Sequence, residues 1–503
     1  MAGAEAVAVE GERILAVGSN GDVRSHVGPR TEVVDCGGRA VLPGFIDSHC
    51  HLLAYAASLL SVDCSPAAVS SIADIQAAIR RRAQETPPGR WVRAVGYSEI
   101  DLAEGRQPTR WDLDAAAPDH AVRLIHRSGH ACVLNSLALR LCGIDITTEE
   151  PAGGYLERDI SSGEPTGLLL EMNEVVERAV PPLSYEELAQ GARLASERFL
   201  AAGVTSLVDA THTNGPPEWE LMGRLRREGH LAPRVTAMVG MDHLEDGQRF
   251  SRRRGESISL GAAKIVIKEL GDEIYPAEAE LAALVAEAHG RGWQVAIHAV
   301  EERAVAAAVA AFEAALAGRP RPGGRPSGRG AHRHRIEHCG LCPPALVRRI
   351  AAAGVLVATQ PSFLYYTGER YLRLVPSEKQ GLLYPLRSLQ RAGVLLAAGS
   401  DCPVVPPDVI AGLYGAVVRR SAGGRPLPGA EALAVEEALA MYTTGAAFSS
   451  FAEGERGSIS PGRLADLVIL SGDPIACSAA ELLALRPEAT LVGGRVAWRS
   501  PGR

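Results

Sequence analysis

The most informative motif of this chain is Val41-Leu42-Pro43-Gly44-Phe45-Ile46-Asp47-Ser48-His49-Cys50-His51-Leu52. Pro43-Gly44 predicts a turn, and the apolar residues that follow predict a short strand that ends at two histidines. Because side chains alternate along a strand, His49 and His51 share one face. Neutral imidazoles are good zinc ligands. A single His-x-His pair is common by chance, so its meaning depends on the ends of the later strands.

Composition narrows the class of protein. The chain has 503 residues, 46% hydrophobic and 22% charged, with a formal net charge of −7, which disfavours nucleic acid and anionic membranes as partners. No apolar run has membrane-spanning length, and the first residues lack the features of a signal peptide. The nine cysteines are scattered, which speaks against a disulfide framework. We therefore expect a cytoplasmic protein that binds neither nucleic acid nor a membrane, and a homodimer stays open.

Lysine is rare in this chain. Of 52 basic residues only Lys264, Lys268 and Lys379 are lysines, so arginine is used almost wherever a positive charge suffices. Lys264 and Lys268 fall in one predicted strand, 261–268. A lysine retained against this bias is a candidate for a role that needs an amine, with chance and a buried ion pair as the alternatives.

Both ends of the chain predict short strands. Residues 4–40 alternate apolar and polar positions around Gly and Asn turns, with candidate strands at 6–9, 13–17 and 32–35. The C-terminal stretches 464–470 and 489–498 show the same character. We predict one small β-sandwich formed by residues 1–40 and 455–503.

Between the ends, short apolar strands alternate with Ala- and Leu-rich helices. Eight strands are predicted, at 43–49, 203–210, 233–240, 259–267, 293–298, 333–338, 354–360 and 394–400. Eight βα units predict a (β/α)₈ TIM-like barrel, an α/β fold, over residues 41–58 and 184–454. Long structureless loops are rare in compact domains, so residues 59–183 are predicted to form an inserted subdomain after the first strand. The Gly-, Pro- and Arg-rich stretch 318–330 is predicted to be a solvated loop rather than a nucleic-acid site.

Residues that can bind metals stand at the predicted strand ends. They are His49 and His51 after the first strand, Lys264 or Lys268 on the fourth, His298 on the fifth, His338 on the sixth and Asp401 after the eighth. The C-terminal ends of the strands of such a barrel meet at one mouth, where barrel enzymes carry their chemistry. We therefore expect these six side chains to converge.

The order of these motifs resembles the amidohydrolase superfamily, and within it the N-substituted formamide deformylase-like branch. The motifs that carry the resemblance are 42–51, 203–210, 292–299, 333–338 and 399–404, with 108–114, Gly129-His130-Ala131 and Asn135-Ser136 in the insert. Singly they are weak, but in this order they are highly specific, and the match covers nearly the whole chain.

The resemblance implies a metal site and a reaction. His49, His51 and Asp401 would bind one divalent ion, usually zinc, and His298 with His338 a second, while Lys264, carbamylated by CO₂, would bridge the two. Lys268 is the second candidate for that carbamate. The implied reaction is hydrolysis of a carbon–nitrogen bond in an amide, formamide or cyclic amide by a metal-bound hydroxide. Asp401 would act as general base and then acid. His130 would act in catalysis by hydrogen-bonding the substrate carbonyl or the tetrahedral oxyanion, and Asn135 would contact the substrate.

The chain departs from the branch pattern at three places, Lys268-Glu269, Glu301-Glu302 and Ser128. The second departure opens an alternative, because His298-Ala299-Val300-Glu301 resembles the mononuclear deaminases of the same superfamily. In that reading one Zn or Fe ion suffices and Glu301 shuttles protons. A solvated helix-start glutamate is the simpler explanation for Glu301. A non-catalytic binding protein on the same fold is the remaining alternative.

Overall fold

The computed structural model describes residues 4–151, 153–251, 257–270, 273–318 and 332–501. Eight parallel strands form its central sheet, each paired with the next along the chain. They are Phe45–Cys50, Val204–Asp209, Arg234–Gly240, Ser259–Val266, Val295–Ala299, Arg335–His338, Leu356–Thr359 and Leu396–Ala398. The predicted (β/α)₈ barrel is confirmed, and each strand lies at its predicted place.

Hydrogen bonds join the first strand to the segment after the eighth. The Asp401 amide donates to the His49 carbonyl at 2.7 Å, and the His51 amide donates to the Cys402 carbonyl at 2.9 Å. Gly399 allows this close approach, because a Cβ atom there would lie 2.5 Å from the His49 nitrogen. The barrel is thereby closed at the end where the predicted ligands stand.

Helices separate the barrel strands as predicted. They are Tyr185–Ala201, Pro216–Arg227, Leu244–Phe250, Glu278–Gly290, Glu302–Gly318, Pro344–Ala353, Ser362–Tyr366, Gly368–Leu374, Leu386–Arg391, Val409–Val417, Val435–Tyr442 and Thr444–Ser449. The last two of these helices are separated at Thr443, whose backbone is not helical.

Strands from both ends of the chain form two small sheets. Ala6–Glu10 and Arg13–Gly18 pair as a hairpin, and Val41–Pro43 joins Leu467–Leu470, Pro487–Val492 and Arg495–Arg499 in an antiparallel sheet. The hairpin contacts the C-terminal segment, since the Ile14 amide donates to the Arg463 carbonyl at 2.8 Å. The strand predicted at 32–35 was wrong. That segment has no regular structure and Val33 is 72% exposed, because its alternating pattern finds no partner strand.

The chain divides into two compact units, and the second comprises Leu52–Ala195 and Lys268–Tyr275. This unit contains a six-stranded sheet in the order Val62–Asp63, Val92–Tyr97, Val122–His126, Ala131–Leu134, Pro165–Leu170 and Tyr155–Arg158. Its helices are Leu52–Ser58, Ile72–Glu85, Arg110–Asp114, Ser136–Leu141 and Asn173–Glu177. Ile75, Ile79, Val92 and Leu124 belong to one buried core, so helix Ile72–Glu85 packs on this sheet.

Two further sequence predictions concern the Gly-, Pro- and Arg-rich stretch and membrane-spanning segments. The Gly-, Pro- and Arg-rich stretch lies outside them from residue 319 to residue 330. Among the helices of the described ranges, none combines the length and hydropathy needed to cross a lipid bilayer.

Candidate metal centre

Three of the predicted ligands form a tight, buried group. One nitrogen or oxygen atom from each of His49, His338 and Asp401 lies within 4.8 Å of the others. All three side chains are nearly inaccessible, with relative exposures of 1%, 3% and 7%. They come from the first strand, the sixth strand and the segment after the eighth, so barrel closure is what assembles them.

The remaining histidines extend this group on two sides. Asp401 Oδ1 lies 3.3 Å from His49 Nε2 and 3.2 Å from His51 Nε2. On the other side, His338 Nε2 lies 2.8 Å from His298 Nδ1. Four imidazoles and one carboxylate therefore converge at the C-terminal end of the barrel.

The outer nitrogen of three of these rings is occupied by a partner. His49 Nδ1 lies 2.5 Å from Glu337 Oε2, His51 Nδ1 lies 3.0 Å from Thr211 Oγ1 and His338 Nδ1 lies 2.8 Å from Gln360 Oε1. An acceptor at Nδ1 keeps the proton of the neutral ring on that nitrogen. The lone pair of Nε2 is then available to bind a cation. Burial lowers the pKa of His338 to about 3, so this imidazole is neutral and suited to a cation.

Glu337 is itself held by Arg335. The guanidinium donates to both carboxylate oxygens, at 2.5 and 2.9 Å, and to the Ser48 carbonyl at 2.7 Å. The relative exposures are 1% for Arg335 and 0% for Glu337. Burial opposes ionisation, but Arg335 and then His49 hold the pKa of Glu337 well below its usual range. A fixed negative charge therefore lies directly behind His49.

Lys264 is buried in the fourth strand, with 2% exposure and no hydrogen-bond partner for its Nζ among the described residues. Burial lowers the pKa of this amine to about 8, against the opposing charge of Glu337. An unpaired buried amine is costly to the fold and is expected only where function requires it.

The backbone is strained at two of these residues. His338 has φ +72° and Asp401 has φ +58°, in the left-handed region that non-glycine residues rarely adopt. Such conformations cost on the order of 1 kcal/mol or more and concentrate at functional sites. At His338 the turn also means that strand alternation does not decide where the side chain points.

Two of the predicted site residues, Lys268 and Glu301, lie away from their predicted places. Lys268 was predicted to lie in the same strand as Lys264, but the barrel strand ends at Val266 and Lys268 begins a separate hairpin with Glu273–Tyr275. Glu301 is exposed at the start of helix Glu302–Gly318, where its carbonyl accepts from the Val305 amide at 2.9 Å. The prediction that Lys268 extends the fourth strand was wrong.

The predicted substrate contacts belong to the second unit. The His130 side chain is 48% exposed, and its Nδ1 lies 2.6 Å from Glu171 Oε1. Asn135 is fully buried and caps helix Ser136–Leu141 by accepting from the Ala138 amide at 3.0 Å. Its oxygen also accepts from Val122, and its amide nitrogen donates to the carbonyls of Ala117 and His120. These four hydrogen bonds leave no capacity for a substrate, so the structure contradicts the prediction for Asn135.

Sequence reasoning missed the outer partners Arg335, Glu337 and Gln360. It considered the last residue of each strand, whereas Arg335 and Glu337 stand two positions apart inside one strand. A charged pair within an otherwise apolar barrel strand was the available signal. Gln360 is the last residue of the predicted seventh strand, 354–360, an end where no ligand was sought.

Comparison with known proteins places these features in a family. The model of the amidohydrolase family matches residues 32–497. Over 99% of this chain and 96% of the relative, the sequence is 32% identical to an N-substituted formamide deformylase from Arthrobacter pascens. It is 28% identical to the putative amidohydrolase YtcJ from Bacillus subtilis, over 98% of this chain and 96% of the relative.

A solved structure shows the same fold. It is an uncharacterized metal-dependent hydrolase from Pyrococcus horikoshii, with a TM-score of 0.73 at 24% identity. The alignment covers 94% of this chain and 95% of the other. The barrel and its additions therefore occur together in another protein.

Proposed function

Because this chain belongs to the amidohydrolase family, and is thus a metal-dependent hydrolase of carbon–nitrogen bonds other than peptide bonds, we propose that it hydrolyses N-substituted formamides. The similarity to a formamide deformylase along both whole chains supports this substrate class. The balanced reaction consumes one water and yields formate and an amine. Other amides and cyclic amides are the alternatives that the experiment below separates.

The observation that carries the proposal is the convergence of metal-ligand atoms at the barrel end. His49, His51 and Asp401 would hold one divalent cation, the first metal position. His298 and His338 would hold another, the second metal position. The donor set fits, because neutral imidazole and carboxylate suit zinc, and His49 Nε2 is buried without a hydrogen bond in the described part of the chain.

Buried charge supports the same assignment. Four carboxylates around the cluster have relative exposures of 7% or less, and they belong to Asp47, Asp209, Glu337 and Asp401. Arg335 offsets one of these charges through its ion pair with Glu337. Buried charges need compensation, and a divalent cation supplies it.

A bound divalent ion would polarise the formyl carbonyl and lower the pKa of a water molecule. Asp401 accepts the proton of the attacking water and passes it to the leaving nitrogen, as general base and then acid. His49 and His51, against the effect of burial, hold the pKa of Asp401 well below its usual range, so the carboxylate begins ionised.

Lys264 is the residue we propose to carry a carbamate between the two metal positions. Only a neutral amine adds CO₂, and burial favours the neutral form of this lysine. Arginine cannot replace it, which accounts for a lysine in a chain where 49 of 52 basic residues are arginine. Lys268 lies outside the barrel strand and is the weaker candidate.

The experiment measures products and metal together. The purified protein is incubated with N-butylformamide, N-butylacetamide, a hydantoin and an aminopyrimidine, while formate, amine and ammonia are quantified and the bound metal is counted. Formate and butylamine in equal amounts, with two ions per chain, support the proposal. The asparagine variant Asp401→Asn is the control and should lose at least about 100-fold in rate. Cleavage of the hydantoin alone, or ammonia release from an aminopyrimidine with one ion per chain, would reject formamide and favour the cyclic-amide or Glu301 deaminase reading.

We further propose a cytoplasmic location, since nine scattered cysteines suit a reducing compartment. The partner we propose is a small-molecule substrate, with neither nucleic acid nor a membrane. Sedimentation of the purified protein would show whether it is a homodimer.

A further inference from the structure

We propose that Glu337 is a positioning residue that makes the first metal position bind a divalent cation more tightly than the second. This inference rests on the ligand assignment of the proposed function. It adds an order of affinity and names the residue that sets it.

The outer partners of the histidines differ in charge. His49 of the first position faces the carboxylate of Glu337 at 2.5 Å. His338 of the second position faces the neutral amide of Gln360 at 2.8 Å. The geometry is otherwise alike, because each partner contacts Nδ1 and each ring is nearly inaccessible to solvent. His49 and His338 therefore differ mainly in the charge of their outer partner, whereas Asp401 belongs to the first position alone and is kept in the variants below.

That charge acts on the metal through the imidazole ring. A carboxylate that accepts from Nδ1–H raises the electron density at Nε2 and so strengthens its bond to a cation. An amide oxygen orients the ring in the same way but supplies no charge. Burial keeps water from screening the difference, since Glu337 has 0% exposure.

Arg335 holds the Glu337 carboxylate in place. The guanidinium donates to both carboxylate oxygens and also to the Ser48 carbonyl, one residue before His49. Arg335 thereby ties the carboxylate to the strand that bears its histidine. A pair of this kind would also arise for structural reasons alone, so the test must separate metal affinity from stability.

The test is a cobalt titration of protein stripped of metal by a chelator, read by the visible absorption of Co²⁺ and by calorimetry. The wild-type protein should show two classes of site. In Glu337→Gln, whose amide still accepts from His49, the tighter class should weaken roughly 10- to 100-fold while the weaker class stays unchanged. The matched reciprocal variant is Gln360→Glu, which places a carboxylate behind His338 and should tighten the weaker class.

A second variant separates a loss of metal affinity from a loss of folding. Glu337→Gln leaves the Arg335 guanidinium buried and unpaired, which destabilises a fold. The double variant Arg335→Met/Glu337→Gln removes both charges at similar volume, and thermal unfolding shows whether it folds. The same loss of tight cobalt binding in a folded double variant supports the inference.

Three results would overturn it. They are wild-type cobalt affinity in either Glu337 variant, an unchanged weaker class in Gln360→Glu, and two equal classes in the wild-type protein. None of these readouts requires turnover. Weaker tight-class cobalt binding in both Glu337 variants of a protein that cleaves no formamide would therefore sustain this inference and refute the proposed substrate.

Discussion

Replacing Lys264 by methionine should stabilise the metal-free protein while destroying its metal site. Burial lowers the pKa of Lys264 from 10.5 to about 8. The gap corresponds to about 3 kcal/mol of unfolding free energy at neutral pH, at about 1.4 kcal/mol for each tenfold change. Methionine fills the same space without an amine to desolvate, so Lys264→Met should gain up to this amount at pH 7.

The sign of the pH dependence follows from the order of the two pKa values. The pKa of Lys264 is lower in the folded protein than in the unfolded chain, so between about pH 8 and 10.5 the unfolded chain binds more protons. The destabilisation by Lys264 is complete below this window and disappears above it. The difference in stability between Lys264→Met and wild type should therefore shrink as the pH rises through the window.

Urea unfolding of metal-free wild type and Lys264→Met, repeated at several pH values, measures this difference directly. Other groups that titrate in the same range are common to both proteins and cancel. With metal and bicarbonate added the order should reverse, because ligands that bind only the folded state stabilise it. Two results would refute the inference that Lys264 is an unpaired buried amine. One is a metal-free Lys264→Met that is less stable than wild type at pH 7, and the other is a stability difference between the two proteins that does not change with pH.

Three further changes have definite expected outcomes. His49→Ala and His338→Ala should each lose bound metal and activity with near-native circular dichroism, and either variant with full metal content and rate would contradict the ligand assignment. Deleting residues 455–503 should give insoluble protein, because it removes the partner strands of Val41–Pro43, and soluble active protein would contradict this. Asn135→Ala should lower the unfolding free energy by roughly 1 to 3 kcal/mol through loss of a helix cap and of buried hydrogen bonds, measured by urea denaturation, and unchanged stability would contradict its capping role.

The barrel could be predicted because each of its strands has a recognisable local pattern in the sequence. A buried parallel strand is a short apolar run between two amphipathic helices, and the run 293–298 predicted the strand Val295–Ala299 closely. The ends of the chain were harder. The segment 32–35 has a strand pattern, yet whether it forms a strand depends on a partner that local sequence does not reveal.

The site residues that stand at the ends of barrel strands could be predicted from the sequence. His49, His298, His338 and Asp401 were named from position alone, and the structure brings them together. Lys268 failed because the alternating pattern continues beyond the point where the barrel strand ends, and local sequence cannot show that a hairpin begins there. The Asn135 error was avoidable, since Asn before a helical stretch is a standard capping signal.

The residues that break the local rules of folding are those that build the proposed site. His338 and Asp401 adopt left-handed backbone angles without being glycine, and Lys264 buries an amine with no hydrogen bond in the described part of the chain. Each choice lowers the stability of the barrel, and none improves its packing. Natural sequences keep such conflicts where function requires them. A cation that binds the histidines and the carboxylate would compensate the buried charge, so the same features that destabilise the metal-free barrel are those that make a metal bind.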